Sequence, residues 1–207
     1  MKRFLLSLIL LIPIVLSPAA ADRDCYDCDN DPKFLIERIV KNVIITIRSN
    51  RERYENNDAE IYKLVKARIM PHIDMRQMSK LILGNNATLF TQEQFVEFSY
   101  LFENITIRSY ARYILAYKDS YSLNFDDTVM NNNTAVVYMK LKIANDQVIH
   151  TEFALYRKNS KWAIINIAIE GINYGLVYRN TYNDIIKNHG VDELLMKLRE
   201  RLDLKGE

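Results

Sequence analysis

The spacing of the apolar residues changes along the chain, and this change constrains the fold more than any other feature. From Phe34 to Tyr117 apolar residues recur three or four positions apart, which is the spacing of buried helix faces. From Ala135 to Arg157 they alternate with polar residues, which indicates strands with one buried face. Helical spacing returns after Ile172. The order of helices, sheet and helices predicts an α+β fold.

Four helices are predicted before the sheet. Asp31 and Pro32 form a start signal for the first helix, and Thr91 with Gln94 forms a capping box for the fourth. The fourth helix is apolar around most of its circumference, so we expect it to be buried on more than one face. The predicted spans are Pro32 to Asn50, Asp58 to Ile69, Met75 to Leu83 and Thr91 to Lys118.

About four strands are predicted next, and two further helices close the chain. The turns between the later strands are short, as at Asn145 to Asp146, and short turns predict an antiparallel meander. The last strand differs from the others because it is apolar on both faces. The predicted strands are Tyr121 to Val129, Ala135 to Ile143, Val148 to Arg157 and Trp162 to Ile169; the predicted helices are Ile172 to Asn188 and Glu193 to Leu204.

The N-terminus has the three parts of a secretory signal peptide. Lys2 and Arg3 are positive, Phe4 to Leu16 is mainly apolar, and small alanines end at Ala21. An uncleaved membrane anchor is the alternative, but this apolar run of about a dozen residues is too short to span a bilayer as a helix. We therefore predict a signal peptide over residues 1–21 and a soluble exported protein.

Two cysteines, Cys25 and Cys28, follow the predicted cleavage point within an N-terminal segment over residues 22–31. An oxidising compartment favours a disulfide between them. A thioredoxin-like motif would stand between a strand and a helix, and a zinc site would need more cysteine or histidine ligands nearby. The prediction is a disulfide that precedes one domain over residues 32–204.

The charge balance argues against nucleic acid as a ligand. Removal of residues 1–21 takes away two of the 28 basic residues and none of the 26 acidic ones, which leaves no net charge. Binding to nucleic acid depends on neutralising phosphates with basic residues, so a neutral chain has no electrostatic basis for it.

Motifs for catalysis or metal binding are missing from the sequence. His72, His150 and His189 lie far apart and have no partner at the spacing of a metal site. There is no nucleophile elbow, zinc-protease motif or glycine-rich phosphate loop. The chain has 13 tyrosines and 8 phenylalanines. These side chains form either an ordinary core or, in part, a cavity for an apolar ligand.

Three groups of residues, in order along the chain, carry a resemblance to a known family. The first is the segment Ile69 to Gly84, with Pro71, Asp74 and Met78 at characteristic positions. The second and third groups are Thr91, Glu93, Gln94, Phe95, Phe98, Tyr110, Ala111 and Tyr117, and then Trp162, Glu170, Gly171, Tyr178, Arg179, Ile185, Gly190, Leu194 and Leu198. Together the three groups resemble the pattern of the MlaC, or toluene-tolerance, family over about Pro32 to Arg201.

The sequence departs from the family pattern at three places. Asn166 stands where the family has an aspartate, and Asn85 with Asn86 replaces a more basic and aromatic stretch. The pair Cys25 and Cys28 is not a family feature. These departures affect local details more than the fold.

The resemblance implies a periplasmic phospholipid-binding protein of the outer-membrane lipid asymmetry system, without enzymatic activity or cofactor. It implies an NTF2-like curved antiparallel sheet packed with helices around an apolar cavity, with phospholipid as the cargo. The implied partners are an inner-membrane ABC transporter complex with an MCE-domain protein, and an outer-membrane lipoprotein–porin complex. An NTF2-like cavity enzyme, such as an isomerase or dehydratase, and a non-catalytic adaptor protein are the alternatives.

The predicted cavity residues combine one face of the sheet with one face of the long helix. We expect an acyl chain to contact apolar side chains on both, with no catalytic or metal-binding residue among them. The predicted residues are Phe98, Phe102, Tyr113, Val137, Met139, Leu141, Ile149, Phe153, Leu155, Ile165 and Ile167.

Overall fold

The computed structural model describes residues 30–117, 122–143 and 146–203. The predicted signal peptide over residues 1–21 and the pair Cys25 and Cys28 lie outside these residues. Within them, helices and an antiparallel sheet form the α+β fold expected from the sequence.

Six α-helices are present in the described residues, and all of the predicted helical regions are among them. None of these helices has both the length and the apolar character needed to cross a bilayer. The helices are α1 (Pro32–Ser49), α2 (Arg51–Glu55), α3 (Asp58–Arg68), α4 (Met75–Leu83), α5 (Gln92–Tyr110) and α6 (Tyr174–Asp203), with short 3-10 helices at Met70–His72, Gly84–Leu89 and Ala111–Tyr117.

The predicted caps explain where three of the helices begin. The Asp31 carboxylate accepts a hydrogen bond from the Lys33 amide at 2.8 Å, and the Asp74 carboxylate accepts one from the Gln77 amide at 2.9 Å. Thr91 and Gln94 form both bonds of the capping box, at 3.2 and 2.9 Å. The sequence thus predicts these helix starts because each cap is a local interaction.

Two helices differ from their predicted form. The long helix is α-helical only to Tyr110 and continues as the 3-10 helix Ala111–Tyr117. The C-terminal helix starts at Tyr174, not Ile172, because Ile172 and Asn173 pair with the last strand of the meander. Within α6, Gly190 has a φ of 86°, which breaks the helix at the predicted boundary.

The sheet contains six strands in the described residues: β1 (Ser122–Phe125), β2 (Val129–Asn131), β3 (Thr134–Lys142), β4 (Val148–Lys158), β5 (Lys161–Ile169) and β6 (Ile172–Asn173). The order is β1-β3-β4-β5-β6, all antiparallel, and β2 pairs with the other half of β3. The first predicted strand is therefore two short strands. The number exceeds the predicted four because β2 and β6 are too short to show alternation.

A β-bulge in β5 changes which of its side chains face the core. Leu155 pairs with Ile164, but Ala154 pairs with Asn166, so Ile165 is an extra residue on this strand. Paired residues lie on the same face of a sheet. Trp162 and Ile164 therefore share a face with Ile167 and Ile169, although simple alternation would separate the two pairs. The bulge explains why this strand is apolar at both odd and even positions.

Three buried clusters form the core of the described chain. The helical cluster joins α4, α5 and α6, and the sheet cluster joins α1 to β3, β4 and β5. A third cluster joins α1, α2 and α3 to the end of α5. Helix α5 is thus buried on more than one face, as its sequence predicts. Fully buried members include Leu83, Phe98, Phe102 and Leu194 in the helical cluster, Ile36, Val137, Leu155 and Ile164 in the sheet cluster, and Ile61 in the third.

The corner between β5 and α6 is held by the side chain of Asn166. Its amide nitrogen donates to Asn173 Oδ1 at 2.9 Å, and its oxygen accepts from the Gly175 amide at 3.2 Å. A β-carbon at Gly175 would lie 2.6 Å from that oxygen, closer than atoms approach without movement. The corner therefore requires glycine at this position.

Gly175→Ala is expected to lower the free energy of unfolding by about 1–3 kcal/mol, because Asn166 must give up its hydrogen bonds. Helix propensity alone would instead raise the free energy of unfolding, since alanine is favoured over glycine in a helix by about 1 kcal/mol. Urea unfolding of the single variant and of Gly175→Ala in an Asn166→Ala background measures the difference. Alanine should be tolerated in the second background, and stabilisation by the single change would contradict the assignment.

Candidate functional site

The described residues enclose a cavity of about 480 Å³ between the helices and the end of β5. Helix α4 contributes Met75, Met78 and Ile82 to its wall, and β5 contributes Ile167 and Ile169. The volume falls within the range of roughly 300–1,000 Å³ that is usual for ligand sites. Its apolar wall suits a hydrocarbon ligand better than a polar one.

Helices α5 and α6 supply the other walls through side chains spaced four residues apart. Phe102, Thr106 and Tyr110 lie along α5, and Tyr174 and Tyr178 lie along α6. Residues four apart lie on the same face of a helix. The two faces pack edge to face, with the rings of Phe102 and Tyr178 5.0 Å apart at an angle of 83°.

Tyrosine side chains become more buried from Tyr113 at the surface, through those of the cavity wall, to Tyr182 in the helical cluster behind the wall. Tyr113 is 65% exposed, Tyr178 is 8% exposed and Tyr182 is 2% exposed. We call the side of the cavity at Tyr113 the mouth. The ring of Tyr110 lies between these extremes, 6.1 Å from the ring of Tyr113, and its hydroxyl lies 2.9 Å from the Tyr178 hydroxyl.

Burial raises the pKa of three of these tyrosines. Burial raises the pKa of Tyr178 well above its usual range, and the hydrogen bond with Tyr110 raises this pKa further. Burial also raises the pKa of Tyr174 and of Tyr182. All three phenols therefore keep their protons at physiological pH.

Few other polar groups line the cavity, and the amide of Asn166 is already used in the corner described above. The hydroxyl of Thr106 is buried without a hydrogen-bond partner. Glu103 is the acidic residue of the wall, and no lysine, arginine or histidine of the described chain joins it there. An acidic residue beside tyrosines is the combination that an NTF2-like enzyme needs, but the hydroxyls of Tyr110 and Tyr178 hydrogen-bond to each other and not to Glu103.

Arg179 fixes the spacing of two cavity walls. Its Nε donates a hydrogen bond to the Leu81 carbonyl at 2.8 Å, and its Nη2 donates to the same oxygen. This carbonyl belongs to the last turn of α4, where backbone oxygens lack partners within the helix. The charged side chain therefore joins α6 to α4 next to Tyr178.

Across the described residues, acidic, histidine and cysteine side chains form no cluster able to hold a metal.

Three of the eleven predicted cavity residues line this cavity. Phe102 comes from α5, Tyr113 from the following 3-10 helix and Ile167 from β5. Phe98 lies one turn before Phe102, fully buried in the helical cluster. Whether any of them contacts a ligand stays a prediction.

Most of the predicted sheet residues lie elsewhere, because α1 covers the part of the sheet that they occupy. Leu35, Ile36 and Ile39 of α1 form one buried cluster with side chains of β3 and β4. Whether these strand residues also contact a lipid stays a prediction. Ile165 is the extra residue of the bulge. The residues in the sheet cluster are Val137, Met139, Leu141, Phe153 and Leu155, with Ile149 half-buried against it.

The lining residues of α4 and α6 are not among those predicted from the sequence. A signal for the second group was present, since Tyr174, Tyr178 and Tyr182 recur every four residues within a predicted helix. Met75 and Met78 lie in the segment that carries the family resemblance. Neither signal shows by itself that a cavity, instead of a filled core, separates the helices.

Comparisons with known proteins agree with this architecture. The chain is similar to the toluene tolerance protein Ttg2D of Pseudomonas putida, with 22% identity over 194 residues, 93% of this chain and 85% of that protein. Its fold is similar to that of the phospholipid-binding protein from Ralstonia solanacearum, solved in complex with a phospholipid. That match has a TM-score of 0.78 and 21% identity, and it covers 86% of this chain and 99% of the other.

A family model described as the MlaC protein matches residues 37–200. This span contains most of α1, all of the sheet, the cavity walls and nearly all of α6. It confirms the resemblance carried by the segments around Asp74, Thr91 and Tyr178. The chain therefore belongs to the MlaC family.

Proposed function

We propose that this protein binds a phospholipid with its acyl chains in the cavity and carries it through the periplasm without catalysing a reaction. The observation that carries the proposal is an apolar cavity whose wall includes Met78, Phe102 and Ile169. Support comes from the fold, because the Ralstonia protein with a similar fold was solved with a phospholipid. Membership of the MlaC family supports a role in lipid handling.

The apolar wall provides a sufficient driving force for such a ligand. Each methylene that leaves water contributes roughly 0.8 kcal/mol. Two long acyl chains, with about thirty methylenes, would then gain on the order of 20 kcal/mol, which approaches the limit of non-covalent affinity. A bilayer offers the same chains a similar gain. The free energy of burying the chains in the cavity therefore needs only to equal that in the bilayer for the protein to take up and release its cargo.

The headgroup belongs outside the cavity in this proposal. A phosphate buried without a cation loses a large solvation energy, and no cationic side chain of the described residues lines the wall. The carboxylate of Glu103 would also repel it. The phosphate therefore stays in solvent near Tyr113, and only the acyl chains enter.

Transfer between membranes needs partners that keep the acyl chains out of water. We propose the two expected from the family: an inner-membrane ABC transporter complex with an MCE-domain protein, and an outer-membrane lipoprotein–porin complex. Each would dock around the mouth and offer a continuous apolar path. In this role the protein helps to maintain the lipid asymmetry of the outer membrane.

The first test is native mass spectrometry of protein exported to a bacterial periplasm and purified without detergent. A bound mass in near one-to-one ratio is expected, and organic extraction should identify it as a diacyl phospholipid. Protein that carries no ligand under these conditions would contradict the proposal.

Met78→Glu is expected to reduce the bound phospholipid at least tenfold, because it places a carboxylate in the apolar wall. Met196→Glu is the matched control, since Met196 lies on α6 and is exposed. Lipid content by extraction and helical content by circular dichroism are measured for both. Equal lipid content in two folded variants would remove Met78 from the site.

Met139→Ala tests whether Met139 belongs to the protein core or to the wall of the lipid cavity. Met139 is buried in the sheet cluster beneath α1, so truncation should lower the free energy of unfolding by about 2–5 kcal/mol. The folded variant should keep its phospholipid, as native mass spectrometry can show. Lipid loss from the folded variant would instead support the sequence-based prediction that Met139 contacts lipid.

A further inference from the structure

We infer that the hydroxyl pair of Tyr110 and Tyr178 donates a hydrogen bond to an ester carbonyl of the bound lipid, just inside the mouth. The inference rests on the proposed function and adds a specific preference to it: ester-linked lipids over ether-linked ones. It concerns the uncharged linkage between the headgroup and the acyl chains, which the apolar wall alone does not recognise.

A count of protons supports this assignment. Each tyrosine hydroxyl has one proton to donate, and the 2.9 Å contact between Tyr110 and Tyr178 uses one of the two. Among the described residues, no acceptor takes the second proton. Both groups line the cavity, so the remaining donor is available to a ligand.

The depth of the pair fits the position of an ester linkage. Tyr113 marks the mouth, and the ring of Tyr110 lies one side chain further in. Tyr178 is more deeply buried, and the phosphate is excluded from the wall by the lack of cations. A lipid with its phosphate in solvent and its chains inside must place its ester groups between these two levels.

The chemistry of the surroundings selects a neutral acceptor. Phenols that stay protonated donate to carbonyl oxygens without placing a charge in the cavity. Thr106, one turn before Tyr110 on α5, also lines the cavity and has a buried hydroxyl without a partner. The wall thus carries unused hydroxyl groups on one side, next to apolar surface for the chains.

The test compares two lipids that differ only in this linkage: dipalmitoyl phosphatidylcholine and its dihexadecyl ether analogue. The full exported protein is loaded from detergent micelles that hold equal amounts of both, and the detergent is then removed. Native mass spectrometry gives the ratio of the two complexes. The wild type should favour the ester lipid by about three- to tenfold, the effect of one net hydrogen bond.

The double variant Tyr110→Phe with Tyr178→Phe keeps both rings and removes both hydroxyls, so its ratio should fall to about one. Tyr182→Phe is the matched control. It lies one turn further along α6 on the same face, and its hydroxyl is buried without a partner. This variant should keep the wild-type ratio.

Four results would overturn the inference. The inference would be wrong if the wild type bound both lipids equally, or if the double variant kept the preference for the ester lipid. Either result would leave the proposal of phospholipid binding intact. Loss of the preference in Tyr182→Phe would show that it reflects ring packing. A wild type that retains neither lipid would overturn the proposed function and the inference together.

Discussion

The cavity depends on the packing of aromatic rings between α5 and α6. Phe102 meets Tyr178 edge to face, and Phe98 meets Tyr182 in the same way with ring centres 5.7 Å apart. These rings keep the two helices in contact beside the cavity, and nearer the mouth the rings of Tyr110 and Tyr174 also pack edge to face, 5.4 Å apart. The cost is a buried Tyr182 hydroxyl without a hydrogen bond, on the order of 1–3 kcal/mol. Ring packing and apolar burial must exceed this cost for the structure to form.

The sheet divides into a part that supports the fold and a part that faces the cavity. The part that supports the fold consists of β3 and β4, whose buried face packs against helix α1. The second part is the end of β5, which reaches α4 and α6 beyond the bulge. If Ile165 paired with Ala154 in regular register instead of forming the bulge, simple alternation would turn Asn166 and Ala168 to the face that Ile167 and Ile169 now occupy. The bulge therefore supplies apolar side chains to the cavity and frees Asn166 for the corner with α6.

Local interactions and periodicity account for what the sequence predicts well. The caps at Asp31, Asp74 and Thr91 and the period-two strands depend on neighbours a few residues away. The cavity wall does not, because whether an apolar face meets a helix or a space depends on packing between distant segments. Met139 and Ile167 both lie on predicted strands, yet only Ile167 lines the cavity, because α1 covers the strands that precede β5. The bulge is likewise visible only once β5 is paired with β4.

A carrier must hold its cargo strongly against water but not against a membrane. Apolar walls meet both conditions, since the free energy of burying a methylene is similar in a protein cavity and in a bilayer. A cationic pocket for the phosphate would add affinity that a membrane of neutral lipids does not match, and release would then become unfavourable. The absence of lysine, arginine and histidine from the described cavity wall fits this requirement. Neutral hydroxyls such as those of Tyr110 and Tyr178 orient a ligand at a smaller energetic gain, because a net hydrogen bond contributes only about 1 kcal/mol. Orientation without strong retention is what the proposed transfer of a lipid between membrane partners requires.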